Sequence, residues 1–373
     1  MSKLTKYKFS DLYEMSSGIS SSKQQAGHGS PFISFSTVFN NYFLPEELPD
    51  LMDTSLKEQE IFSVKKDDVF ITRTSETVDA LAMSCVAVKD YPKATFSGFV
   101  KRLRPKTTGI VYSKYIAFFL RSKYFRKVLD CNTIMTLRAS FNEDMFSFLY
   151  LYLPDYEEQV RIGDLLYKME MKIRTNNKIN DNLEQQIQLI FDYLFPDVCA
   201  GNKHMGDFII PKRGKSLLSK NAVHGNVPVI AGGLEPSIYH NVANTIAPVV
   251  TISSSGANAG FVNIWGVPVW SSDSSYIDSE MSRYVYFWYA YLKRHQNNIY
   301  NIQTGSAQPH IYPSHISSLP ITDLDYKKIE NYTEIVSPIF STITKNHVEN
   351  QHLQSLRDWL LPMLMNGQAT ISD

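Results

Sequence analysis

The chain has 373 residues, of which 43% are hydrophobic and 20% charged, with 37 Lys and Arg balanced by 37 Asp and Glu. These proportions belong to a soluble globular protein with room for two domains, and they exclude disordered and fibrous chains. The three cysteines, Cys85, Cys131 and Cys199, show no C-x-x-C spacing, so neither a zinc site nor thiol chemistry is expected and a reducing cytoplasm is. No apolar run is long enough to cross a membrane, and no secretory h-region follows Met1.

In chain order, the first part reads as mixed strand and helix. Residues 68–73 and 84–89 are predicted strands, and the loop over 71–77 is rich in small hydrogen-bonding side chains, including Arg73, Thr74 and Ser75. From Tyr91 to Leu129 basic residues occur without a single acid, among them Lys101, Arg102 and Arg104. Tyr112–Val128 within this block reads as a basic amphipathic helix, and the whole block predicts a local positive field. A second polar segment, Thr136–Asn142, carries Arg138 and Ser140.

A long helix is predicted next. Ile162, Leu166, Met169, Ile173, Asn176, Asn180, Leu183, Ile187, Ile190 and Leu194 follow the alternating 3-4 spacing of a coiled-coil seam. The chain then begins again. Met205-Gly206-Asp207-Phe208 with Gly214 echoes Phe9-Ser10-Asp11-Leu12 with Gly18. Lys212, Arg213 and Lys215 follow as candidate phosphate contacts. Gly214-Lys215-Ser216 is not a P-loop, because position 209 is Ile where that motif needs Gly.

Strands are expected at 248–252, 260–264 and 266–270. The loop between the first two carries Ser254, Ser255 and Asn258, and no charge occurs from Pro236 to Ser272. Met281–Thr322 is again basic without acids. Gln303–His310 repeats the polar segment, with Thr304, Ser306, Gln308 and His310. Such side chains suit phosphate oxygens and base edges, with Arg matched to guanine and Asn or Gln to adenine.

A second helix has Tyr332, Val336, Ile339, Ile343, Asn346, Asn350, Leu353, Arg357, Leu360 and Leu364 on its seam. Residues 131–195 fall on 301–365 without a gap, and Asp155-Tyr156 lands on Asp325-Tyr326. The chain is thus two copies of one plan, each a globular module of about 140 residues followed by a helix. Antiparallel pairing sets Asn176 against Asn350 and Asn180 against Asn346, with Ile or Leu facing Ile, Leu, Val or Tyr elsewhere. Only Met169 against Arg357 matches poorly. Buried asparagines fix register, since a slip leaves them facing aliphatic groups. Over about 32 residues at ~1.5 Å each, the modules are expected roughly 50 Å apart. That is on the order of 15 base pairs at 3.4 Å each.

Several signatures are missing. There is no Asn/Asp-Pro-Pro-aromatic tetrapeptide, no nuclease Glu-x-Lys partner for Pro49-Asp50 or Pro154-Asp155, and no histidine pair at metal-binding spacing. These absences oppose an enzyme whose repeat is a catalytic dimer and lead to an expectation of no catalytic residue and no metal. A coiled-coil scaffold that binds only proteins is the second alternative, and the paired basic and polar segments oppose it.

Leu153-Pro-Asp-Tyr-Glu-Glu-Gln-Val-Arg-Ile162, Asn176-Asn-Lys-Ile-Asn180 and Leu183-Glu-Gln resemble the conserved region of type I restriction-modification specificity subunits. Ser255–Gly260 and Thr304–Ile311 are similar to segments of that family's target-recognition domains. The resemblance covers essentially the whole chain. It implies an α+β fold, with mixed α/β target-recognition domains at 1–152 and 198–322 and spacer helices at 153–197 and 323–373 forming an antiparallel coiled coil. It also implies a non-catalytic subunit that reads a bipartite target in double-stranded DNA and docks modification (methyltransferase) and restriction (motor-nuclease) subunits. The cofactors S-adenosylmethionine, ATP and Mg would then belong to those partners, and this chain would hold none.

Overall fold

The computed structural model describes residues 3–371 except 21, 76, 78–79, 133–138 and 306–307. Two compact units divide it: residues 1–173 with 351–373, and residues 174–350. Each unit therefore takes one end of both long helices, Tyr156–Leu194 and Tyr326–Met365. The repeated Asp-Tyr pair marks where both helices begin. Asp155 Oδ1 accepts the Glu158 N–H at 2.8 Å, and Asp325 Oδ1 accepts the Lys328 N–H at 3.1 Å. Each aspartate thus satisfies an amide that the first helical turn leaves open. Gly367, with φ of 73°, follows the second helix in the left-handed conformation common after a helix C-terminus.

The two modules repeat strand for strand. In the first unit a four-stranded antiparallel sheet runs in the order Tyr13–Ser17, Val100–Pro105, Val69–Thr72, Ser84–Val86. In the second unit the order is Lys212–Arg213, Ser274–Asp278, Val249–Ser253, Val262–Trp265, again antiparallel. A three-stranded sheet accompanies each, with one antiparallel and one parallel pair: Asp50–Met52, Ala26–Ile33, Thr95–Phe96 in one, and Ile238–His240, Val227–Ile230, Trp270–Ser271 in the other. Thr5–Lys8 pairs with Tyr150–Leu153 as Lys203–His204 pairs with Pro320–Ile321. The expected strand at 266–270 forms only at its end, within Trp270–Ser271.

The echo between Gly18 and Gly214 has a steric cause. Each glycine follows the edge strand of its four-stranded sheet and passes against the last residue of the parallel strand, Phe96 or Ser271. A Cβ on Gly18 would lie closer than 3.0 Å to the Phe96 carbonyl oxygen, and one on Gly214 equally close to that of Ser271. No other residue fits without moving backbone.

Helix packing follows the antiparallel pattern inside each unit. In the first, Ile162 and Leu166 share a core with Leu364 and Met365. Arg357, opposite Met169 in the expected register, donates to Glu170 at 3.2 Å and Asp358 at 2.9 Å and lies 5.3 Å from the Tyr42 ring centre. In the second unit, Asn176 Nδ2 donates to Asn350 Oδ1 at 2.8 Å, and Asn346 Nδ2 to Asn180 Oδ1 at 2.8 Å. Asn350 Nδ2 reaches Asn177, and Asn176 also donates to Glu349. Beyond these layers the helices leave the simple seam. Phe191, which the 3-4 spacing skips, is fully buried, with its ring 5.6 Å from both Phe287 and Tyr332.

The glycine contacts set a stability test. Gly214→Ala is expected to lower unfolding free energy by about 1–3 kcal/mol, the range for a forced steric clash, in urea denaturation of the full chain. Substitution of Gly109, which has open space around it but a positive φ, should cost about 1–2 kcal/mol from the left-handed backbone alone.

Candidate nucleic-acid interface

The polar loops gather where the central strand of each large sheet ends. In the first unit, Val69–Thr72 runs into Arg73, whose N–H donates to the Phe99 carbonyl at 2.9 Å. The Arg73 carbonyl accepts the Phe141 N–H at 2.8 Å. Thr74–Ser75 then pair antiparallel with Ala139–Ser140. Arg73, Thr74, Ser75 and Ser140, far apart in sequence, become one short ribbon. The Arg73 side chain is exposed, and its guanidinium donates to the Gly98 carbonyl at 3.4 Å. Arg138 lies outside the described residues.

The second unit builds the same frame from different residues. The Ser254 N–H donates to the Asp273 carbonyl at 3.1 Å, and the Ser254 carbonyl accepts the Ile311 N–H at 2.9 Å. Ser255 bridges to His310, which exchanges backbone hydrogen bonds with Thr304 at 3.0 and 2.8 Å. Ser254 therefore stands where Arg73 stands, Asp273 where Phe99 stands, and His310 where Ser140 stands. The Asp273 carboxylate accepts from Arg213 at 2.7 Å and from the Ser255 hydroxyl, so it joins two of the candidate loops. Lys212, Arg213 and Lys215 are exposed, and the Lys215 carbonyl accepts the Trp270 indole N–H at 2.8 Å.

The Ser254 side chain is buried without a partner for its hydroxyl, so what this residue supplies to the frame is backbone. Asn258 is half-buried, and its carbonyl closes the turn to Phe261 at 3.0 Å. Gln308 is exposed, and Ser306 lies outside the described residues. Residues 212–215, 254–258, Thr304 and His310 thus meet at one end of the sheet.

The basic block of the first module is arranged otherwise. Val100–Pro105 is buried on both faces over its first four residues, which takes Lys101 and Arg102 inside. Lys101 Nζ donates to Ser17 Oγ at 2.8 Å and lies 3.6 Å from Glu143. Arg102 donates to the Ser63 carbonyl at 2.6 Å with its guanidinium 5.4 Å from the Phe96 ring centre. Arg104 clamps fully buried Asp68 through two bonds of 2.7 and 2.6 Å. That bond to Asp68 raises the Arg104 pKa, whereas burial and then the Arg104 charge lower that of Arg102.

The basic helix expected over 112–128 is two helices, Ser113–Phe119 and Lys123–Asn132. At the break Arg121 turns inward and donates to the carbonyls of Ser84, Val38, Phe39 and Asn41 at 2.7–2.9 Å. Arg126 similarly serves the carbonyls of Leu81, Ala82 and Leu120. These cations answer buried carbonyls, which would otherwise lose their hydrogen bonds to water. Asp273 and Phe99 also belong to this frame, outside the loop residues expected to meet DNA. Asp273 had a visible signal, being the first acid after the charge-free stretch; Phe99 had none.

Residues 1–185 match the family model of the type I restriction modification DNA specificity domain. Over 224 residues, 57% of the chain, the sequence is 27% identical to the type I restriction enzyme HindI specificity subunit of Haemophilus influenzae. The match spans about half of that relative, 47% of its length. The fold is similar to the crystal structure of the S subunit of a type I restriction-modification system from M. genitalium, with a TM-score of 0.63 at 15% identity. That likeness covers 97% of this chain and 96% of the other.

The internal role of Arg104 can be tested directly. Removing it leaves the buried Asp68 carboxylate without its cation and with the Lys65 N–H still donating to it at 2.8 Å, so Arg104→Ala is expected to cost about 3 kcal/mol of stability. Chemical denaturation measures this, and a change under 1 kcal/mol would return Arg104 to the surface cations.

Proposed function

We propose that the chain is a specificity subunit of a type I restriction-modification system, one that reads a split sequence in double-stranded DNA, one half-site per module, and brings modification and restriction subunits to it. The observation that carries this reading is the common backbone frame with exchanged side chains. Arg73, Thr74, Ser75 and Ser140 face one half-site, and Lys212, Arg213, Lys215, Ser255, Thr304, Gln308 and His310 face the other. Arginine and the small polar side chains address base edges, while the exposed lysines take phosphates and make affinity salt-dependent. A scaffold that binds only proteins would have no use for two copies of one frame carrying different hydrogen-bonding groups.

The chain acts without chemistry of its own. Methyl transfer with S-adenosylmethionine and cleavage with ATP and Mg fall to the partner subunits, in the cytoplasm. No helix among the described residues is long and apolar enough to cross a membrane, and no described cluster of His, Cys, Asp and Glu could hold a metal. The modules occupy 1–152 and 198–322, and the helices at 153–197 and 323–373 serve as the spacer. Asn176, Asn180, Asn346 and Asn350 hold its register.

The direct test is selection from random DNA by the full chain with its modification subunits, read by mobility shift and sequencing. A split motif with a fixed gap is expected, and selection of no such motif would end the proposal. Arg73→Ala should relax one half-site by about 1–3 kcal/mol and leave the other untouched. Equal loss at both halves would contradict modular reading. Removing seven residues from each helix at facing positions should shorten the tolerated gap by about three base pairs, at ~1.5 Å per residue and 3.4 Å per base pair. An unchanged gap would exclude the spacer role.

A further inference from the structure

In the first unit a turn over 97–99 lies against the start of the ribbon. Its backbone is fixed. The Phe99 N–H donates to Ser97 Oγ at 3.2 Å, the Gly98 N–H to the Ile19 carbonyl at 2.7 Å, and the Phe99 carbonyl accepts the Arg73 N–H at 2.9 Å. Gly98 permits this approach, since a Cβ there would sit 3.0 Å from the Ile19 carbonyl oxygen. On that fixed backbone the Phe99 side chain is 64% exposed.

One exposed phenylalanine on a protein surface is ordinary. The frame makes this one different. The second unit carries Asp273 at the same position, with the same backbone hydrogen bond to the residue that ends the central strand. The fold therefore accepts an aspartate there, and nothing in it requires an aromatic ring. Exposure shows that Phe99 is not part of the core, and the rigid turn sets it next to Arg73, the one exposed cation of the ribbon's described residues. A large apolar group placed beside a guanine-matched arginine suits the one apolar feature of the major groove, the C5-methyl of thymine.

We propose that Phe99 is a specificity-determining residue of the first module, packing on the methyl group of a thymine next to the base that Arg73 engages. This rests on the function proposed above and adds the chemical feature that is read.

The test uses the full chain with its modification subunits, the DNA sequence the parent complex selects, and the variants F99A, F99L and R73A. Each thymine of the half-site that R73A relaxes is replaced in turn by deoxyuridine, which removes only the methyl group. In the parent, one replacement is expected to weaken binding about four-fold, the worth of one buried methyl. F99A should bind the thymine duplex at least that much more weakly and be indifferent to the replacement, while F99L retains most of the discrimination. An equal penalty for deoxyuridine in parent and F99A, or no sensitive thymine in that half-site, overturns the inference. If R73A still relaxes one half-site in that event, the functional reading stands and Phe99 alone is excluded. If the parent selects no split sequence, the reading falls and the inference falls with it.

Discussion

The helix pair is governed by one constraint: an amide enclosed among aliphatic side chains must find another amide. Asn176, Asn180 and Asn350 are all buried, and leaving one such group unpaired costs about 1–3 kcal/mol. A slip of one heptad would set Asn176 against Ile343 or Arg357 in place of Asn350. The aliphatic layers on their own would tolerate that slip, because Ile, Leu and Val face each other in either register. The asparagines do not. Even so, satisfaction is incomplete, since Asn180 accepts from Asn346 but its own Nδ2 is buried without a partner. Some stability is surrendered for a single register, as in coiled coils that carry one polar layer.

From that register the packing of each unit follows. Within the second unit it brings Ile187 and Phe191 into one core with Tyr332, Val336 and Ile343. Within the first it places Ile162 and Leu166 with Leu364 and Met365, and Arg357 beside Glu170. The helices are therefore more than a connection between modules. Each module completes its core on a stretch of both helices, which is why the compact units divide the helices instead of following the ends of the repeat.

How much of this could be read from the sequence depended on the range of the interaction. The long helices were legible because a 3-4 spacing is local and an Asp that caps a helix acts within three residues. Strands Val69–Thr72 and Val249–Ser253 were legible for the same reason. The partner of each strand was not, since Thr74–Ser75 meets Ala139–Ser140 across more than sixty residues of chain. The basic stretch misled for a different physical reason. A charge count treats every arginine as a surface charge, but a guanidinium has five donors in a planar fork and can satisfy several carbonyls at once. Arg121 does this for four carbonyls, and its inward turn breaks the helix expected to carry it.

Those inward arginines bear on how a nearly silent sequence likeness between the modules coexists with one fold. The frame is held by backbone hydrogen bonds, by glycines where strands touch, and in the first module by guanidinium groups that tie loops to the core. The backbone bonds and glycines do not depend on the side chains at the frame positions, so Arg can stand where Ser stands and Phe where Asp stands without disturbing a strand. Asp273 adds bonds from Arg213 and Ser255, and Arg73 adds one to Gly98. Rigidity in the frame also spares the ordering cost that a flexible loop would meet on contact with a ligand. A scaffold built this way separates folding from recognition. The helices and frame stay common to both halves, and the residues that differ are those free to differ.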